Sequence, residues 1–425
     1  MEVLDQRDLI YPWNIFNYKG EDTRQLLNRK IRKIELDDET LRDGLQSPSV
    51  TTPDIDAKLK ILHFMENLSI DIADIGLPAA GELMFEDVLR LTTEIADNKM
   101  KIKAACAGRT LKSDINPIIE ISQKAGIPVE AHIFIGTSMI RQYTEGWTLD
   151  YLLEATASGV SYCVKHDLPV MYVTEDTTRV GPRMLKKLYT AAIEAGAERI
   201  CICDTVGYAT PDGIMNLMDF IKEIVWETGE DVKIDWHGHN DKGLSLCNAL
   251  VAAIDAGVDR IHGTCLGIGE RAGNTAIDEL LINLHLKEMY NGDIRALGAY
   301  CKFVSEACRV PIPDNYPAVG RDAFRTATGV HAAAIVKALR KSGDKWLADY
   351  VYSGVPAYVI GLEQVIEIGP VSGKANVEYW LEKRGIPVSG DLVQTILDHA
   401  KHCNRILSDE EIHRLIASEQ TPEGK

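Results

Sequence analysis

An α/β fold of eight strand–helix repeats, with a mostly helical extension at the C-terminal end, is what this 425-residue sequence predicts. Three observations carry that expectation. Short apolar or β-branched runs recur eight times between residues 33 and 265, separated by segments of helical period. Three entries to these runs share one punctuation, "KAGIPVEAHI", "EAGAERICI" and "DAGVDRIHG", where a glycine just past a helix end precedes a strand. Polar residues cluster directly after the runs, in "RDGLQ", "GLPAAGE", "AGRT", "GTS", "TEDTTR", "DTVGY", "HGHND" and "GIGERAGN". Alternating βα units imply a parallel sheet, and eight of them close into a TIM barrel whose post-strand loops converge on one face. An open doubly wound sheet is the alternative.

The strands are expected at 33–37 (KIELD), 70–76 (IDIADIG), 101–107 (KIKAACA), 128–135 (PVEAHIFI), 168–173 (LPVMYV), 198–203, 232–237 (VKIDWH) and 259–265 (DRIHGTC). Intervening segments such as "TPDIDAKLKILHFMENL" and "TPDGIMNLMDFIKEIVWETG" open on a Thr-Pro-Asp cap signal and repeat apolar residues at three-to-four spacing, as helices do. The barrel domain is placed at 31–308. After it the alternation stops, "PIPDNYPAV" reads as a linker, and 309–425 reads as helical subdomains from "TATGVHAAAIVKALRKSG" to "DLVQTILDHAKHCNRILSDEEIHRLIASE". Residues 1–30, including "YPWNIFNY", do not fit the barrel pattern. They form an N-terminal extension expected to pack under the barrel or against another subunit.

A hydrophobic content of 45% and a charged content of 26% are those of an ordinary globular protein. The formal net charge of −17 argues against a nucleic-acid or anionic membrane surface, while leaving room for a local phosphate pocket. No run reaches the roughly 18 apolar residues of a membrane span. The start "MEVLDQRD" lacks the order of a signal peptide, so a cytoplasmic protein is expected. The nine cysteines include no CxxC pair; Cys201 and Cys203, two apart, share one face of a strand as buried thiols.

His237 and His239, two apart in "DWHGHND", leave the end of strand seven on one face, so both imidazoles can enter the barrel mouth. Two histidines need an anionic partner, and strand one ends beside strand eight, which makes Asp43 the natural third metal ligand. Asn274 can add an oxygen or orient a bound water. This mixed nitrogen and oxygen set suits Mg, Mn, Co or Zn; a non-haem iron oxygenase site is the alternative. Arg42, beside Asp43, is either a surface ion pair or poised to stabilise a developing oxyanion. Of Glu175 and Asp176 after strand five, one serves proton transfer or water orientation, and the other is as well suited to cap the next helix with Thr177 and Thr178. Thr205 offers a hydroxyl to a substrate carboxylate. "GIGERAGN" is not a dinucleotide fingerprint, but its backbone amides can approach a phosphate-bearing cofactor.

Together, "DETLRDGLQ", "HGHND" and "GIGERAGNTAIDELL" resemble the barrel metal-dependent acyl-CoA condensing and lyase superfamily, over roughly residues 31–385. The "ERAGN" ending is similar to the condensing branch, the 2-isopropylmalate, homocitrate and citramalate synthases. The resemblance implies an acyltransferase that condenses acetyl-CoA with a small 2-oxo acid held on a divalent metal, giving a hydroxy di- or tricarboxylic acid and CoA. It puts Asp43, His237 and His239 at the metal, Arg42 at the enolate or its acceptor, and Gln46 on substrate. Glu175 and Thr205 match the strand-five Glu and strand-six Thr. "TGVHAAAIVK" is similar to a helix whose histidine acts as base in the neighbouring subunit, a role that falls to His331 with Tyr352 as partner. It thereby implies a homodimer. Ser138 and Arg109 are further substrate-binding candidates, and Gly267, Gly269, Glu270, Arg271 and Gly273 form the loop expected to meet the cofactor.

Three departures qualify the resemblance. Leu45 stands where condensing enzymes carry Glu; "RDGLQ" is more typical of hydroxymethylglutaryl-CoA lyases. Met171 stands where homocitrate synthases tend to carry Arg, leaving a second substrate carboxylate to Arg109 or Arg141. About forty residues follow the expected helical subdomain, too few for a leucine-sensing domain. A carbon–carbon lyase acting on hydroxymethylglutaryl-CoA, or a non-catalytic keto-acid-binding descendant, are the alternatives to the condensing reading.

Overall fold

A computed structural model of the protein describes residues 9–12, 14–22, 33–342 and 345–420. Two compact units result, one of Trp13–Pro311 and one of Met1–Pro12 with Ile312–Lys425. Most of the expected N-terminal extension, 1–30, lies outside the described residues; within it, Phe16 and Asp22 form one antiparallel bridge.

In the larger unit eight parallel strands pair in chain order and close. They are β1 (Glu35–Asp38), β2 (Ile72–Asp74), β3 (Lys103–Arg109), β4 (Val129–Gly136), β5 (Val170–Glu175), β6 (Arg199–Asp204), β7 (Lys233–Gly238) and β8 (Arg260–Gly263). β8 pairs with β1 through Glu35↔Arg260 to Asp38↔Gly263, which excludes the open-sheet alternative. The helices follow the strands as the periodicity predicts, beginning with α1 (Ile55–Asn67) and α2 (Glu82–Asp97). The two Thr-Pro-Asp signals act differently. Asp54 caps α1 by accepting from the Ala57 amide, whereas Thr210 caps the helix Pro211–Thr228 by accepting from Gly213, with Pro211 at its first position. Gly126 and Gly257 end their helices at φ 70°, the left-handed conformation that lets the chain turn into β4 and β8.

Every strand alternates between two surroundings. Ile133, Ile135, Tyr172, Ile200, Ile202, Ile234, Trp236 and Ile261 are buried on the side that packs against the helices. The opposite side faces the barrel interior, and it departs from the usual filling of branched aliphatics. β1, β2, β4, β7 and β8 send in Asp37, Asp74, Glu130, His132, Asp235, His237, Arg260 and His262, nearly all of them fully buried. Small residues on β3 and β6, among them Ala105, Ala107, Cys201 and Cys203, leave room for them. The expected Cys201–Cys203 pairing is present as two buried thiols with sulfurs 3.7 Å apart.

The smaller unit is mostly helical. Two short parallel strands, Arg325–Thr326 and Val365–Ile366, pair at its start. One core packs Ala332, Ile335, Val336, Ala348 and Ile366. A second is built on the helix Gly390–Lys401, capped by Ser389, whose Leu392, Val393, Ile396, Leu397 and Ala400 fall on one face against Trp380, Leu381 and Ile412.

Candidate active site

The C-terminal ends of the strands surround a cavity of about 240 Å³. Its walls include Arg42, Asp43, Gln46, Glu175, Thr205, His237, His239 and Glu270, all singled out by sequence. At the centre, the Nε2 atoms of His237 and His239 lie 3.6 and 3.5 Å from Asp43 Oδ2. These separations are too long for hydrogen bonds and close to the edge that two ligand bonds of about 2.1 Å subtend. The three candidate donor atoms lie within 4.8 Å of one another, and all three residues are buried. Asn274 donates from Nδ2 to Asp43 Oδ2 at 2.6 Å, while its buried Oδ1 has no hydrogen-bond partner among the described residues. A divalent cation fits this set: one carboxylate, two imidazole nitrogens and an adjacent unpartnered amide oxygen.

The electrostatics agree. Burial acts to raise the Asp43 carboxyl, but Arg42 and His237 outweigh it and the net shift is downward, keeping an anion at the centre. Burial, then the charge of His237, pushes His239 down to about 4, so it is the neutral imidazole that a metal takes as ligand. For His237, burial is outweighed chiefly by Glu39 and its value rises to about 9, so a metal has to displace a proton from this ring to take it as ligand.

Arg42 is held as a fork. Its Nε donates to Asp74 Oδ2 at 2.8 Å and one terminal nitrogen donates to Glu39 Oε1 at 2.7 Å. The other lies 3.6 Å from Asp43. Glu175 and Asp176, left undecided by sequence, separate here. Glu175 faces the cavity, where burial raises its carboxyl, and Asp176 is clasped by Arg179 at 2.6–3.0 Å. Thr205 Oγ1 accepts from the Asp176 amide at 2.8 Å.

Within the larger unit, other candidates lie apart from the cavity. Arg109 is paired with Asp114 at 2.7 Å and its side chain is 61% exposed. Ser138 caps the helix Met139–Glu145. The glycines of "GIGERAGN" are accounted for by the loop's own closure: a Cβ on Gly273 would sit 1.9 Å from the Gly267 carbonyl, and one on Gly269 would meet Asn274 Oδ1 at 2.7 Å. Arg271 is tied to Asp241 at 2.8 Å. His331 and Tyr352 belong to the smaller unit, exposed and stacked with ring centroids 4.0 Å apart. Sequence reading missed four ionisable cavity residues, Glu39, Asp74, His132 and His262. Their signal was charge at alternate positions inside strands, as in Asp37/Glu39, Glu130/His132 and Arg260/His262.

A profile of the HMGL-like family matches residues 33–298. The 2-isopropylmalate synthase of Sulfolobus acidocaldarius is 31% identical over 379 residues, 88% of this chain and 92% of that one. The chain belongs to the HMGL-like family, among its 2-isopropylmalate and homocitrate synthases. A homocitrate synthase of Methanopyrus kandleri is likewise 31% identical, over 87% of this chain and 89% of its own. Among solved structures, the HMG-CoA lyase of Bacillus subtilis superposes with a TM-score of 0.56 at 18% identity, covering 66% of this chain and 96% of that one. That likeness concerns the barrel of the HMGL-like fold and nothing finer.

Proposed function

We propose that the protein condenses acetyl-CoA with a small 2-oxo acid to give a hydroxy di- or tricarboxylic acid and free CoA. Membership among the synthases of the HMGL-like family supports this reading. The observation that carries it is the meeting of Asp43, His237 and His239 beside Arg42 in one cavity. Asp43, His237 and His239 would hold a divalent cation there, Mg, Mn, Co or Zn, which would supply Lewis-acid polarisation of the acceptor's keto carbonyl.

The remaining steps belong to the chain's own residues. Gln46 and the Thr205 hydroxyl hold the acceptor's carboxylate. The Arg42 guanidinium faces the oxygen on which charge develops, where a fixed cation in a dry site is worth more than in water. A proton leaves the acetyl methyl to His331, supported by Tyr352 and contributed by a second copy of the chain. A positioned base of this kind supplies about 10²–10⁴-fold. The resulting carbon attacks the keto carbon, and Glu175, which burial holds toward its protonated form, gives the new alkoxide its proton. Water then cleaves the thioester. The 267–273 loop, with Glu270 on the cavity wall, meets the CoA. The protein works as a cytoplasmic homodimer in amino-acid biosynthesis. No described helix is long and apolar enough to cross a membrane.

The test is release of free thiol from acetyl-CoA with Mg or Mn and, in turn, pyruvate, 2-oxoisovalerate, oxaloacetate and 2-oxoglutarate. One acceptor is expected to give turnover that a chelator abolishes and added metal restores. Silence with all four, together with cleavage of hydroxymethylglutaryl-CoA, overturns the reading.

A further inference from the structure

Glu39 sits at a junction that the proposed chemistry does not use. Its carboxylate is 2% exposed. Oε2 lies 2.8 Å from His237 Nδ1, and Oε1 accepts from Arg42 at 2.7 Å and lies 2.9 Å from His262 Nδ1. One carboxylate therefore touches a candidate metal ligand, the candidate oxyanion cation and a histidine from the neighbouring strand. On the far side of that histidine, His262 Nε2 lies 3.2 Å from Asp235 Oδ2, and Arg260 Nε donates to the same Asp235 oxygen at 2.6 Å. The chain of contacts runs from the floor of the barrel to its mouth: Arg260, Asp235, His262, Glu39, then His237 and Arg42.

We infer that His262 is a positioning residue, which fixes Glu39 and through it sets both the His237 imidazole and the Arg42 guanidinium. The physical argument has three parts. Both nitrogens of His262 face carboxylate oxygens, so both donate, and the ring cannot turn over without breaking one contact. Glu39 held from below keeps its other oxygen 2.8 Å from His237 Nδ1, an ion-pair contact that turns Nδ1 toward the carboxylate and Nε2 toward Asp43. Arg42 reaches the same oxygen as His262, so losing the histidine leaves a buried carboxylate with fewer donors and free to swing toward the guanidinium. Asp37 Oδ2, 3.8 Å from His262 Nε2, His132, stacked at 6.1 Å, and His237, edge-on at 5.9 Å, also face this ring.

The inference rests on the proposed metal site, and its test separates the two. Three variants are compared, His262→Asn, His262→Gln and His262→Leu. Asn carries its amide donor near the place of Nδ1 and can still meet Glu39; Gln carries it near Nε2 and meets only Asp235; Leu meets neither. The readouts are the Kd for Mn²⁺ by calorimetry, the KM and kcat for thiol release, and the thermal midpoint.

Gln and Leu are expected to weaken Mn²⁺ binding by about 10–100-fold, the usual cost of losing a partner behind a ligand, while Asn stays within a few-fold of the wild type. The loss should fall on Mn²⁺ affinity and kcat with little change in acetyl-CoA KM. Equal Mn²⁺ affinity in all four proteins overturns the inference and leaves the metal site standing. So does a loss shared by Asn, Gln and Leu that tracks the thermal midpoint, since that marks a purely structural residue. A wild type that binds no Mn²⁺ overturns both. Should Leu not fold, the contrast between Asn and Gln decides.

Discussion

Arg42 is fixed by three carboxylates at once, and each takes a different nitrogen. Burial acts against its charge, yet Glu39, Asp43 and Asp74 together raise its value well above the ordinary one, so it is a permanent cation. A lysine carries the charge at one point and can answer only one of the three partners. Arg42→Lys should therefore lower kcat for thiol release by about 10²–10³-fold, the scale of losing one oxyanion donor. Acceptor KM should change far less; a kcat within threefold of the wild type would remove Arg42 from the reaction. At this scale the sequence was readable where a residue sits at a strand end. The meeting of His237, His239 and Asp43 could be anticipated because i, i+2 side chains share a face and β1 adjoins β8. Glu39, His262 and His132 escaped notice because isolated charges inside apolar runs resemble boundary noise. Arg109 is held by Asp114 outside the cavity lining; a post-strand arginine has no marker distinguishing the cavity from its own helix.

The strands carry a second consequence in the ionic layer beneath the site. Arg260 is fully buried and bonds Asp235 and Glu130, while His132 lies 2.9 Å from Glu130 Oε1. Burial acts to raise the Glu130 carboxyl, and Arg260 with His132 outweighs it, holding the group well below its ordinary range. A carboxyl depressed in the folded state binds protons more tightly once unfolded. Its stabilisation is thus complete above the unfolded value of about 4.3 and is lost as pH falls further. The contribution of Glu130 to the urea midpoint should hold steady from neutrality to about pH 5 and be lost below that, so Glu130→Gln should make the acid-side fall shallower; an unchanged slope would exclude Glu130 from it. Arg260→Met, which removes the cation shared by Asp235 and Glu130 and leaves them Arg199 and His132, should cost about 3–5 kcal/mol at pH 7, read from the same urea curves. The strand ends tell why this layer was illegible. Observed strands start two residues later than expected at β1, β2, β3 and β5, for instance 35 against 33, and several run further into polar sequence. Charge was assigned to loops, whereas here the barrel interior is charged.

At the scale of the whole molecule, alternation of strand and helix made the barrel legible, since eight repeats admit few closures and β8 on β1 is the one observed. The smaller unit was legible only as helical, because its two-residue strands are too short to leave a period. The division of labour proposed between copies of the chain rests on the resemblance of "TGVHAAAIVK" to the family's helix. Each histidine on the cavity wall already faces a carboxylate: His237 and His239 meet Asp43, His262 meets Glu39, and His132 meets Glu130. The base in the proposed function is instead His331, exposed and stacked on Tyr352 in the smaller unit. If two-fold symmetric copies exchange this residue, two inactive proteins should rescue one another. In a mixture of Asp43→Asn and His331→Ala that is allowed to exchange subunits, half the dimers are mixed, and each mixed dimer has one site with both intact groups. Activity should recover to about a quarter of the wild-type value. Recovery near zero, with exchange verified by a size tag on one variant, would mean that each chain completes its own site.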